Sequence, residues 1–177
     1  MRSALDEFLA SVERRALRMA ELATRDRDEA LDVVQDAMIS LVKNYADRPQ
    51  AEWPPLFHRI LQSRIRDWGR RSSLRARFRA WLGRDDEEDG VDPIAEVADP
   101  DGRGPAEHVL HAAAGRAIET AIETLPLRQK QAFLLRAWEG LDVAETAAAM
   151  SCSEGSVKTH YFRAVRALRA KIGEEWA

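Results

Sequence analysis

DVAETAAAMSCSEGSVKTHYFRAVRALR, residues 142–169, sets a short apolar helical pattern, a brief turn at Ser151-Cys152 and a long basic helical pattern in that order. Two helices joined by a turn of three or four residues, the second one cationic, form the helix-turn-helix pattern. At about 100° per residue, Val157, Tyr161, Val165, Leu168 and Ile172 fall on one narrow stripe, which predicts the buried side. Lys158, Thr159, Phe162, Arg163, Arg166 and Arg169 fall on the opposite half. After Glu154 no acid occurs until Glu174, although the chain carries a net charge of -3. A helix entering a DNA major groove needs this division of faces. Cations meet phosphates, hydrogen-bonding side chains meet base edges, and an apolar surface meets thymine methyls. Ser156, Lys158, Thr159, Phe162 and Arg163 lie in the turns that would reach deepest, with Arg166 farther out.

Outward from this helix the charges are segregated. Residues 59–84 hold nine arginines against Asp67, and residues 85–107 hold ten acids against Arg103. That asymmetry points to a polyanionic partner for the basic part and a solvated spacer for the acidic part. The spacer RDDEEDGVDPIAEVADPDGRGP, residues 84–105, has linker composition. With 177 residues, the chain is long enough for two small domains, each with a modest core. The divisions expected are a first domain over 1–72, a linker over 73–112 and a second domain over 113–177.

Apolar residues recur at helical spacing nearly throughout, so the expected class is all-α. Three helices are expected in the first half. One runs from about Leu5 to Leu22, and a second from near Asp26 carries Ala30, Val33, Val34, Ala37, Met38, Leu41 and Val42 inward. The third begins at Trp53-Pro54-Pro55, where proline suits a first turn, and is weakened at Gly69. Beyond it, the spacing of Leu74, Phe78, Trp81 and Leu82 suggests a short amphipathic helix. Four helices are expected in the second half, over about 106–123, 126–140, 142–150 and 153–172, with Ser153 capping the last.

No export signal or membrane-spanning run is visible, and the single Cys152 favours a reducing, cytoplasmic setting. His108 and His111 lack a third ligand, and Cys152 suits a small residue in a turn. No phosphate loop, metal cluster or nucleophile-base set is recognisable, and no cofactor is expected.

The second half, AIETLPLRQKQAFLLRAWEGLDVAETAAAMSCSEGSVKTHYFRAVRALR (residues 121–169), resembles the promoter-binding C-terminal domain of bacterial extracytoplasmic-function (ECF) sigma factors. DEALDVVQDAMISLVKN (28–44) and LFHRILQSRIRDWGRR (56–71) are similar to the family's first-domain helices. The resemblance covers about residues 5–72 and 113–172, in the family's order. It implies a non-enzymatic transcription initiation factor, cytoplasmic or held at the inner membrane by an anti-sigma factor, with no small-molecule substrate. Its partners would be core RNA polymerase, through clamp and flap, promoter DNA and an anti-sigma factor. By similarity, Asp32, Val34, Gln35 and Asp36 would contact the polymerase clamp. Trp53, Gln62, Ser63, Arg64, Arg66 and Arg70 would serve the minus-10 element. Ser156, Lys158, Thr159, Phe162, Arg163 and Arg166 would read the minus-35 element. Gln62-Ser63 stands where the family often has an Asn-containing pair, and Leu56 replaces a frequent tryptophan. Ser151 replaces a frequent turn glycine. The pattern SVKTH also occurs in LuxR-type output helices, an alternative that predicts an α/β receiver domain upstream.

Overall fold

The computed structural model describes residues 4–82 and 115–175, and every regular element among them is helical. Helix α1 spans Ala4–Thr24, and α2 spans Arg27–Tyr45. The break between them is built by three residues. Thr24 Oγ1 donates to the Ala20 carbonyl, Arg25 takes a left-handed φ of 59°, and Asp26 accepts from the Glu29 backbone N–H at 2.9 Å. That last contact caps α2 and satisfies one of its otherwise unpaired donors.

A short 3-10 turn, Gln50–Glu52, leads into α3 (Trp53–Trp81), with prolines in its first turn as the sequence suggests. Trp53, Phe57, Leu61 and Ile65 of α3 pack with Met19 and Leu22 of α1 and with Val33, Val34, Ala37 and Leu41 of α2. Val42, expected inward, is instead exposed, because the buried stripe of α2 runs through Val34, Ala37 and Leu41 and leaves Val42 beside Ile39.

Gly69 does not end α3. The helix continues to Trp81 and carries Leu74, Phe78 and Trp81 outward, with the Phe78 and Trp81 rings 6.0 Å apart. The amphipathic segment read from the sequence is therefore the C-terminal part of a single 29-residue helix. A Cβ on Gly69 would meet Leu127 Cδ2 at 2.5 Å, so the glycine gives the second half room to approach.

In the second half, α4 covers 115–123, and α5 (Leu127–Phe133) runs on into a π-helical turn, Leu134–Trp138. Gly140, at φ 72°, reverses the chain. Helix α6 (Val143–Met150) opens on a complete capping box: Asp142 accepts from the Glu145 backbone, and Glu145 accepts from the Asp142 backbone, both at 2.8 Å. Ser151 ends α6 in the left-handed region at φ 51°, the position where glycine is the easiest residue. Ser153 Oγ then accepts from the Ser156 N–H at 3.1 Å and starts α7 (Glu154–Glu175). Of the predicted inner stripe, Val157 and Leu168 are buried with Ala164, while Tyr161, Val165 and Ile172 are half-buried at its margin. Of the expected linker over 73–112, residues 73–81 are instead the end of α3, while residues 83–112, with the start of the helix expected from 106, lie outside the described residues.

The two halves are packed on one another. Helix α6 lies against α3, and α5 touches both α1 and α3. Two buried polar contacts cross this seam. Lys130 Nζ donates to the Leu22 carbonyl at 2.8 Å, and Gln131 Nε2 donates to Gln62 Oε1 at 3.0 Å and to its backbone carbonyl at 3.1 Å. Ion pairs at the edge join Arg15 to Glu139 at 3.2 Å, Arg25 to Glu123 at 3.7 Å, and Arg18 to Glu119. Each of these pairs keeps at least one partner open to solvent and contributes roughly 0–1 kcal/mol, so the buried amide and amine contacts carry most of the seam's polar specificity.

Candidate nucleic-acid and polymerase interface

Helix α7 presents the first surface. Its inner residues fix the rotation of the helix, and that rotation turns Lys158, Thr159, Phe162, Arg163, Arg166 and Arg169 to solvent. Phe162 is 66% exposed, an unusual setting for a large ring surrounded by cations. Among the described residues, none of these cations has a carboxylate partner. Ser156 is half-buried, and its hydroxyl lies 2.9 Å from Ser153 Oγ, so it is shared with the helix cap. His160, at the edge of the face, is held below the usual histidine pKa, first by burial and then by Arg128 and Arg163. It therefore holds a proton less readily than a free histidine.

The α2 surface is of another kind. Asp32, Gln35 and Asp36 are exposed side by side, while Val34 is in the core. Ile39, 49% exposed, and Val42 continue the same face at helical spacing, giving a polar cluster bordered by bare aliphatic side chains. Sequence reasoning passed over Ile39. The signal was available, because Ile39 falls outside the apolar stripe that runs through Val33, Ala37 and Leu41.

On α3, Arg64 and Arg70 are exposed, and Ser63 and Arg66 are half-buried. Trp53 and Gln62 are placed differently. Trp53 is buried against Phe8, with Nε1 donating to the Tyr45 carbonyl at 3.1 Å. Gln62 is 1% exposed, with Nε2 donating to Met19 Sδ and Oε1 accepting from Gln131. In this arrangement Arg66 and Arg70 share one side of α3, Arg64 lies on another, and Trp53 and Gln62 support the fold from the interior.

Residues 115–168 match the family described as Sigma-70, region 4. The chain is 41% identical over 73 residues to the ECF RNA polymerase sigma factor BldN of Streptomyces coelicolor, a match covering 41% of this chain and 28% of BldN. It is 27% identical over 173 residues to the ECF RNA polymerase sigma factor SigM of Mycobacterium tuberculosis, covering 97% of this chain and 79% of that protein. The chain is thus similar to ECF sigma factors along nearly its whole length, and its second half to sigma-70 region 4. The fold is shared with the sigma factor RpoE of Bartonella quintana, solved in complex with the anti-sigma factor NepR. The TM-score is 0.62 at 20% identity, over 94% of this chain and 95% of that one. The sigma-70 region 4 match contains the capping box, the Ser151 turn and the exposed face of α7 from Lys158 to Arg166. The LuxR-type alternative is not favoured, because the first half is a helical bundle matched to sigma factors along its length. None of the described helices is long and apolar enough to cross a membrane.

Proposed function

We propose that this chain is a transcription initiation factor that binds core RNA polymerase and directs it to promoters. The observation that carries the proposal is the α7 face, with Phe162, Lys158, Thr159 and Arg163 exposed together opposite a buried apolar stripe within a sigma-70 region 4 match. Lys158, Thr159, Phe162 and Arg163, with Ser156 at the helix start, read the minus-35 element, and Arg166 holds phosphate. Arg64, Arg66 and Arg70, with Ser63, serve the minus-10 element. Gln62 joins them only when the halves part, since Gln131 occupies its amide. Trp53 acts from beneath, by holding the start of α3.

Asp32, Gln35 and Asp36 form the contact to the polymerase clamp, with Ile39 and Val42 as its apolar border and Val34 setting the helix from the core side. The second domain contacts the flap. Binding the core brings the two DNA surfaces to one promoter, and the chain itself performs no chemistry. An anti-sigma factor is the expected inhibitor, because the structurally similar RpoE is seen bound to one. Such a factor would hold the protein in the cytoplasm or at the inner membrane.

Reconstitution tests the proposal. Purified protein should co-elute with core RNA polymerase and support initiation on the promoter upstream of its own gene. Absence of both would overturn it.

A further inference from the structure

A cleft of about 870 Å³ opens between the two halves. From α3 it takes Arg66, Trp68, Arg70 and Arg77, and from the second half Arg128 and Lys130. Arg66, Arg70 and Arg77 lie on one stripe of α3 at spacings of four and seven residues, so the straight continuation of the helix past Gly69 aligns them. Among the described residues, none that lines the cleft carries a carboxylate. Arg128 donates to Gln131 Oε1 at 2.9 Å and to the Met150 carbonyl at 3.0 Å. Arg66 Nε and Trp68 Nε1 are buried donors with no hydrogen-bond partner among the described residues.

Unpaired buried donors are costly, and several converging cations without a counter-charge repel one another. The repulsion registers on Arg128. Its guanidinium is held below its ordinary pKa, first by burial, with Arg66 and Arg70 adding to the shift and the Cys152 sulfur opposing it more strongly than either arginine adds. An arrangement that repels itself is relieved by an anion of high charge density. Guanidinium groups match phosphate in bidentate geometry, and the volume lies in the range of small-ligand sites.

We propose that this cleft binds a small anion carrying two or more phosphates, held by Arg66, Arg70 and Arg77 from one half and Arg128 from the other. The bound anion joins the halves, so it favours their packed arrangement by mass action. Arg66 and Arg70 are shared with the proposed minus-10 surface, whereas Arg77 and Arg128 belong to neither of the proposed DNA surfaces and so distinguish this site from promoter reading.

Calorimetric titration of the full chain with inorganic triphosphate tests this. Saturable one-to-one binding is expected, at least tenfold tighter than for inorganic monophosphate. Arg77→Gln and Arg128→Gln should each weaken it at least fivefold and abolish the rise in Tm that triphosphate gives the native protein. Arg77 is exposed and has no partner among the described residues, so its replacement keeps the fold even if Arg128→Gln does not. ATP binding tighter than triphosphate identifies the ligand as a nucleotide, and equal binding identifies a bare polyphosphate. No saturable binding, unchanged affinity in Arg77→Gln, or an equal loss in Arg163→Gln on α7 would each overturn the proposal.

Discussion

Lys130 sits in the seam between the halves with 4% of its surface exposed, so its protonation is a measurable part of stability. Its amine donates to the Leu22 carbonyl at 2.8 Å and to the Glu123 carbonyl at 3.2 Å. Burial pushes its pKa from 10.5 down to about 8, with the Glu123 carboxylate opposing the change and Arg25 adding to it. The folded value lies below the unfolded one. Between about pH 8 and 10.5 the unfolded chain therefore holds a proton that the folded chain has released, and stability rises with pH through that window. A shift of this size corresponds to about 3 kcal/mol in total, of which about 2 kcal/mol falls between pH 7 and 9.5. Lys130→Met keeps much of the volume and removes the titration. It also leaves the Leu22 and Glu123 carbonyls without this donor, a cost of about 1–3 kcal/mol for each that does not depend on pH. Urea unfolding followed by far-UV circular dichroism, for native and variant protein at several pH values, separates the two effects. The stability difference, native minus variant, should grow by about 2 kcal/mol from pH 7 to 9.5. Two parallel pH profiles would refute the reasoning, because the amine would then be solvated in the folded protein.

Arg163→Ala should weaken binding to a minus-35 duplex by about 1–3 kcal/mol while leaving unrelated duplexes nearly unaffected, as read by fluorescence anisotropy. Arg166→Ala should weaken both alike and reduce the salt slope by about 1, which a salt titration of the same assay reads directly. Asp32→Ala combined with Gln35→Ala should abolish co-elution with core polymerase at unchanged helix content; a loss of circular dichroism would make these residues structural. Asp142→Ala removes the acceptor for the Glu145 N–H and should cost about 1 kcal/mol, or about 2–4 °C in Tm by calorimetry.

What was legible in the sequence is what depends on neighbours along a single helix. The faces of α7 follow from periodicity, and so does the exposed cluster on α2, because 3.6 residues per turn fixes which side chains share a side. Caps are local as well, and Ser153 is where its pattern places it. The misjudged positions are those whose partners lie far away in the chain. Gly69 has the composition of a helix weakener, yet its role is set by Leu127, 58 residues on. Gln62 has the composition of a surface residue, yet Gln131 and Met19 satisfy its amide in the interior. Both lie on the seam, and so does Lys130. That coincidence has a physical basis. A seam that had to be permanent would be better stabilised by apolar side chains, whereas amides and an amine retain partners in water when they separate. The polar seam therefore suits two halves that dock reversibly. Gln62 is also the residue that the family resemblance assigns to DNA, so its contact with Gln131 makes docking of the halves and use of that residue on a promoter mutually exclusive.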